Sequence, residues 1–339
     1  MNRSRSLLVF VALAVVLLGG LAGCLLVGAV DIPVADVVKA LTGADGISDS
    51  WRYIVTETRL PGALTAIVAG AALSVAGLLM QTTFDNPLAG PSILGISTGA
   101  SLGVAIVMMA IGASVGIWAH VAVLGAALLG AMAVMALLLT MSALVRSATM
   151  LLIVGILIGY LASSVIALLN FAATRESVHS FVVWGLGSFN SVTRAELAIF
   201  AAVTLLPLFL SMLYGKTLNA LLLGERYAAS TGVNVKRARR GLLMLGGILT
   251  AFVTAWCGPI GFIGLIVPHI ARLLLRTSNH TVLLPATALA GGAVGVLCQL
   301  ISVSPGQAGI IPVNAITPII GVPIIIYIII RRRSIFYFN

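Results

Sequence analysis

Long apolar runs constrain this chain more than any other feature. A helix that crosses a membrane needs about 20 apolar residues. Ten candidate spans can be marked, at about residues 7–30, 59–82, 91–112, 116–140, 149–171, 194–214, 241–258, 261–275, 281–302 and 314–330. The eighth is short, and its end, PHIARLLLR, is amphipathic. The third starts at Pro91-Ser92 and is expected to be broken or tilted. Only 8% of the 339 residues are charged, 60% are hydrophobic, and the mean hydropathy is +1.17. That is too little charge to cover a water-soluble surface. The expected fold is an all-α polytopic membrane protein of ten transmembrane helices, one domain over residues 1–339.

The positions of the cations agree with this count. Ten spans put both termini on one side. That side carries Arg3, Arg5, Arg146, Lys216, Arg226, Lys236, Arg237, Arg239, Arg240, Arg272, Arg276, Arg331, Arg332 and Arg333. The other side carries Lys39, Arg52, Arg59, Arg175 and Arg194. Fourteen basic residues against five make the first side cytoplasmic by the positive-inside rule. The basic residues flank apolar runs and form no groove, so the high pI of 10.3 indicates membrane anchoring and not nucleic acid. Residues 21–24, Leu-Ala-Gly-Cys, resemble a lipoprotein cleavage box, but the apolar run continues through residues 25–30, as a span does. Cys24, Cys257 and Cys298 lie far apart in or beside apolar runs and read as packing residues, neither disulfides nor metal ligands.

Several chemistries are excluded by what the spans lack. The nine acids, Asp31, Asp36, Asp45, Asp49, Glu57, Asp85, Glu176, Glu196 and Glu225, all sit in loops or at span ends. An acid at a helix centre costs about 2.5–3.5 kcal/mol on insertion scales and is usually kept for ion coupling. Its absence argues against transport driven by protons or sodium. Gly215-Lys216-Thr217 is not a phosphate loop, because position 210 is Leu where the motif needs Gly. The histidines His120, His179, His269 and His280 have no metal-ligand spacing, and no Ser-His-Asp or paired-carboxylate pattern is visible, so catalysis within the chain is not expected. Small residues recur every fourth position: Ala66, Gly70 and Ser74; Gly95, Gly99 and Gly103; Gly155, Gly159 and Ser163. On a helix each set forms one face that lets backbones approach closely.

Three stretches stand out. Residues 219–240, NALLLGERYAASTGVNVKRARR, form a soluble-looking island that reads as two short helical pieces, LLLGERYAAS and VNVKRARR, with Gly232 at the break. It is expected to be a cytoplasmic loop, residues 217–240, on which a partner docks. Residues 59–103, RLPGALTAIVAGAALSVAGLLMQTTFDNPLAGPSILGISTGASLG, end one span at Gln81-Thr82-Thr83, break at Asp85-Asn86-Pro87 and re-enter at Pro91. Non-helical backbone near membrane depth is tolerated only if it is buried in protein or faces a water-filled path. Residues 86–91 are therefore expected to line or close a pathway on the cytoplasmic side. Residues 258–272, GPIGFIGLIVPHIAR, suggest irregular backbone beside a cavity for the same reason.

The patterns RLP…GA.L..AG..MQ….NPLA.P..LG...GAS.G and GPIGFIGL..PHI.R resemble the permease subunits of ABC importers for iron–siderophore, haem and vitamin B12, the FecCD family. The resemblance continues through LLIVGILIG, VVWGLGSF, LLGERYAASTGVNV and IPVNAITPIIGVPIIIYII, nearly the whole chain. It implies a type II importer permease of the inner membrane with both termini cytoplasmic, paired with a second copy or a homologous permease in the lipid. ATP and magnesium would be held by separate ATPase subunits, with no cofactor in this chain. Substrate would arrive on a periplasmic binding protein.

The resemblance also implies residue roles. Two coupling helices around residues 223–235 would meet the ATPase through Leu223, Gly224, Glu225, Arg226, Ala228, Ala229, Thr231, Gly232 and Val233. The cytoplasmic gate would map onto Asn86, Pro87 and Leu88 and onto Ala148 and Thr149. A short helix around residues 180–189 would lie by the outer mouth. Arg59 matches a basic residue that meets the binding protein in the vitamin B12 permease. The chain departs from the pattern at Gly62, where a second Arg is usual, and lacks an Arg before residues 305–311. It also departs at Ile310 (usually acidic), Asn314 (usually Gly) and Pro318 (usually Ala). The rival readings are a stand-alone secondary transporter or channel for a small solute, which would work without ATP, a membrane-embedded enzyme, which would need a clustered polar site, and an efflux component.

Overall fold

A computed structural model describes residues 3–111, 116–145 and 147–331. Arg146, Arg332 and Arg333 of the sequence argument, and the last residue expected in the third span, lie outside them. Backbone in lipid must bond to itself, and the described chain does so with helices and no strand. The first two-fifths comprise α1 (Arg3–Leu26), α2 (Val34–Thr42), α3 (Asp49–Tyr53), α4 (Leu60–Thr83), α5 (Ile96–Ile111) and α6 (Ile117–Leu144). Then come α7 (Ala148–Ala172), α8 (Arg175–Gly185), α9 (Arg194–Met212), α10 (Gly215–Leu221) and α11 (Glu225–Ser230). The last are α12 (Val235–Cys257), α13 (Ile263–Leu275), α14 (His280–Val303) and α15 (Val313–Arg331). Among the described residues seven helices are long and apolar enough to cross a membrane, and three shorter apolar helices lie within α5, α13 and α15. Together they match the ten expected spans.

The helices sort into a core and a surround. The apolar window of the α4 helix is 83% buried inside the protein, and that of α1 only 11%. α12 and α14 join α4 in the core, while α1, α6, α7 and α9 turn Leu, Ile and Phe side chains outward where lipid would be. Lipid tails are as apolar as leucine, so helices gain nothing by merely hiding apolar surface from each other. Close packing has to hold them. The recurring small residues supply it. A Cβ on Gly70 would strike the carbonyl of Gly291, and one on Gly295 the carbonyl of Ala66, so α4 and α14 meet backbone to backbone. Gly99, Gly103 and Gly130 bring α5 against α6 in the same way, and Gly95 and Gly155 bring the start of α5 against α7.

Several boundaries differ from the sequence expectation, each for a local reason. The second span does not begin at residue 59. A single helical run extends from Asp49 to Thr83, with a π-helical segment over Ile54–Arg59 joining α3 to α4. α2 and α3 cap that end through a small apolar cluster of Ile32, Val37, Ala40 and Val55. The third span is helical only from Ile96, because residues 84–95 turn at Pro87, Pro91 and Gly95. The helix near the outer mouth runs over Arg175–Gly185 and not 180–189. The Thr174 hydroxyl caps its start by accepting from Ser177 N, and it stops before Gly187.

One end of the bundle collects the start of α1, the ends of α4 and α13 and the start of α14. There Arg5 Nε donates to the carbonyl of Leu274 at 3.1 Å, and Asn219 in α10 bonds Asn279 at 2.8 Å. α15 runs alongside α13 from the opposite end, so its last residue arrives here too. This is the basic end. All three cysteines are free and buried, as expected of packing residues.

The α4–α14 contact is testable. Gly70→Val should destabilise the protein by about 1–3 kcal/mol or more through overpacking. Gly19→Ala, in α1 with open space around it, should be neutral or stabilising. Thermal unfolding of both variants in detergent checks the pair. Equal melting temperatures would mean that the two helices do not meet at Gly70.

Candidate functional site

The island of residues 219–240 projects at the basic end, but its shape differs from the expected pair of helical pieces. The first piece is broken by Gly224, whose φ is 96°, so α10 ends before it and α11 is a six-residue helix after it. Gly232, at φ 87°, makes the second break as expected. The second piece is no separate helix. Asn234 Oδ1 caps by accepting from Arg237 N at 3.0 Å, and the helix that begins there continues unbroken through Cys257. Nothing between Arg240 and Gly241 interrupts the hydrogen-bond ladder. The loop proper thus ends at Asn234, and Lys236–Arg240 form the first turns of a spanning helix.

Within this segment Leu223 is 64% exposed and Tyr227 50% exposed. Gly224, Glu225, Arg226, Ala229, Thr231 and Gly232 are also exposed, Val233 is half-buried, and Ala228 alone of the candidates is buried. Ala228 anchors α11, while its N–H and C=O, with those of its neighbours, close the turns at both ends. Glu225 accepts from Arg239 Nη2. That pair ties α11 to α12, and the buried Arg239 makes it more than a solvated surface contact.

The expected gate loop follows α4. Asp85 adopts φ 46°, and Asn86 Oδ1 accepts from Leu88 N at 2.9 Å to make an Asx turn. Asn86 N donates back to Gln81 O at 3.0 Å. The Pro87 carbonyl accepts from His269 Nε2 at 2.9 Å, which holds the loop against α13. Leu88 is exposed. Ala148 and Thr149 open α7 behind the N-cap Ser147, with Ala148 half-buried and Thr149 exposed. No described hydrogen bond joins them to residues 86–88. The two places share the basic end because α5 and α7 pack side by side.

A cavity of about 440 Å³ runs beside α5 towards the opposite end. Five hydroxyls, from Ser92, Ser97, Thr98, Ser101 and Ser163, face it. Pro259, Ile260 and Gly261 line it from the stretch expected to be irregular. There Phe262 takes φ 66°, rare for a bulky side chain, and its carbonyl accepts from Leu265 N and Ile266 N to start α13. Among the described residues no charged side chain lines the cavity.

Asn314 also lines the cavity. The side chain donates to the carbonyls of Gly185 and Pro259 and accepts from Gly261 N at 3.1 Å. Asn314 departs from the family motif, and its role there depends on residues distant in sequence. A glycine there could make none of these bonds. Arg59 is likewise bonded to backbone carbonyls. It is 8% exposed, and its guanidinium donates to the carbonyls of Leu25, Leu26 and Val30. Leu25 and Leu26 are orphan acceptors at the end of α1, where a cation is also favoured by the helix dipole, and Val30 lies in the loop that follows. Arg59 therefore closes a helix end. Arg175 and Arg194 are exposed at that end, and Arg194 pairs with Glu57 at 3.0 Å.

Ten apolar helices, an uncharged cavity along them and a soluble segment at one end define a polytopic permease of the membrane. The chain belongs to the FecCD transport family, whose model matches residues 12–331. It is 32% identical over 294 residues to the hemin transport system permease protein HmuU of Yersinia pestis, covering 85% of this chain and 86% of that one. It is 33% identical over 284 residues to the vitamin B12 import system permease protein BtuC of Vibrio cholerae, covering 84% of each. A solved structure described as an inward-facing conformation of a transporter provisionally assigned to the metal-chelate ABC type superposes with TM-score 0.83 at 28% identity. It covers 95% of this chain and 98% of that one.

The role of Asn314 can be checked by Asn314→Asp. The carboxylate cannot donate to the Gly185 and Pro259 carbonyls and repels both. Stability should fall by about 1–3 kcal/mol, the cost of buried polar groups left unpaired. Thermal unfolding in detergent measures it. An unchanged melting temperature would show that the three bonds do not hold this junction.

Proposed function

We propose that the chain is the membrane subunit of an ATP-driven importer that takes a large metal chelate from a periplasmic binding protein. Relatives named for hemin and vitamin B12 support that cargo class. So does the hydroxyl-lined, uncharged cavity, which suits a bulky cargo of low charge that must not stick. Two copies, or this chain and a homologue, would face one another across a central path. The basic end is the cytoplasmic one, by the excess of Lys and Arg.

The observation that carries the mechanism is the exposed segment of residues 223–233 on the same end as the gate loop. An ATPase subunit with bound ATP and magnesium would seat Leu223 and Tyr227 and push on α11. The force passes through the Glu225–Arg239 pair into α12 and through α10 into the helices behind it. Residues 86–88 and 148–149 then open or close. The permease contributes two packed states of different shape, and the partner's differential affinity for them does the work. The binding protein approaches the opposite end, where Arg175 and Arg194 are exposed and Arg59 is engaged.

The test is Ala229→Arg in a reconstituted complex with ATPase and binding protein. A long cation on the exposed face of α11 should cut uptake and ATPase stimulation by about tenfold or more, the equivalent of about 1.4 kcal/mol of docking free energy. Normal uptake and stimulation would remove this segment from the ATPase interface. Uptake into liposomes without ATP would favour a stand-alone transporter.

A further inference from the structure

A line of hydrogen bonds crosses the basic end between the segment proposed to meet the ATPase and the gate loop. It begins at Asn219 in α10. The Asn219 Oδ1 accepts from the backbone N–H of His280 at 2.7 Å, so the amide is oriented with its oxygen towards that residue. The same oxygen lies 3.2 Å from His280 Nδ1, and Asn219 Nδ2 donates to Asn279 Oδ1 at 2.8 Å. An amide oxygen only accepts, so in the neutral ring the proton sits on Nδ1 and Nε2 offers a lone pair. His280 is fully buried, and its Nε2 lies 2.8 Å from the hydroxyl of Thr82 in the last turn of α4.

Thr82 has one hydroxyl proton and two acceptors within reach. One is His280 Nε2, and the other is the carbonyl of Leu78 in its own helix, at 3.0 Å. The residue before it, Gln81, accepts through Oε1 from Arg272 Nη1 at 2.7 Å and donates through Nε2 to Leu265 O at 3.0 Å. Its backbone carbonyl holds Asn86 N. Asn219, His280 and Thr82 thus bridge three elements and stop one residue short of the bonds that hold residues 86–88.

We propose that Thr82 and His280 are positioning residues that couple the ATPase-contacting segment to the gate. While α10 holds the His280 ring by Nδ1, the Thr82 hydroxyl is shared outwards and the end of α4 is tied to α14. When α10 is displaced, the ring turns away, the Thr82 proton returns to Leu78 O, and the end of α4 with Gln81 and Asn86 is released. The two arrangements have the same number of bonds at Thr82, but the second leaves the buried His280 ring without Asn219 and Thr82, so the intact line is the favoured state until the displacement of α10 supplies the difference. This inference rests on the importer reading given above.

The test uses the complete complex of permease, ATPase and binding protein in liposomes, with hemin, vitamin B12 and a ferric hydroxamate as uptake probes. Thr82→Val removes the hydroxyl at constant shape, and Thr82→Ser keeps it. Asn219→Leu breaks the other end of the line at a half-buried position, and decides the matter if Thr82→Val fails to fold. Coupling free energies of ordinary size correspond to about 5- to 150-fold effects. Uptake per ATP hydrolysed should therefore fall at least about fivefold in Thr82→Val and in Asn219→Leu while ATP hydrolysis continues. Thr82→Ser should restore it. The double variant should be no worse than either single one, because both break the same line. A loss of uptake and hydrolysis in parallel, or additive effects, would overturn the coupling role. Unchanged uptake per ATP in both single variants would overturn it as well. If the unaltered complex shows no ATP-driven uptake of any probe, the importer reading itself falls.

Discussion

Carbonyls that a helix leaves open within lipid have no water to bond, and the architecture of this protein depends on how they are satisfied. Long polar side chains reach across to them. Arg59 closes the end of α1, Asn314 joins the ends of α8 and the 258–262 turn, Gln81 holds the Leu265 carbonyl, and His269 holds Pro87. The Arg59, Asn314 and His269 bonds hold backbone that has left the helix, and the Gln81 bond ties α4 to α13. The breaks and their clasps therefore coincide with the places where a path or a hinge can exist.

Between the breaks the protein is built to be stiff. α4 meets α14 through Gly70, Gly291 and Gly295, and a carbonyl stands where any Cβ would go. Such contacts do not slide continuously. They hold or they change register, which suits motion by whole helices. The lipid-facing surround of α1, α6, α7 and α9 carries large apolar side chains with few constraints. Motion imposed at α10–α12 would meet the stiff core directly, because α12 packs on α4 and α10 on α14.

The cavity and the soluble segment lie on different elements, and α12 packs against both, since Ser97 on the cavity wall bonds Thr254 of α12 at 3.3 Å. An uncharged, hydroxyl-bearing wall offers many weak contacts and no deep well, which favours passage over retention. The soluble segment does the opposite, with Leu223 and Tyr227 displayed beside charged Glu225 and Arg226. Apolar anchors inside a charged rim are what a separate protein can grip.

The number of spans, the membrane class and the family motifs were all legible in the chain, because hydropathy, charge bias and motif order are local properties. The fourfold spacing of Ala66, Gly70 and Ser74, or of Gly95, Gly99 and Gly103, marked the helix faces that do pack closely. Gly232 marked a true turn, since its φ lies where only glycine is at ease. What could not be read there was any pairing across distance. Arg59 lies 34 residues from Leu25, Asn314 lies 129 from Gly185, and His280 lies 198 from Thr82. The same guanidinium could have faced water or closed a helix end, and only the tertiary structure decided between them, because a polar side chain in lipid goes to whichever unpaired backbone the fold brings within its reach.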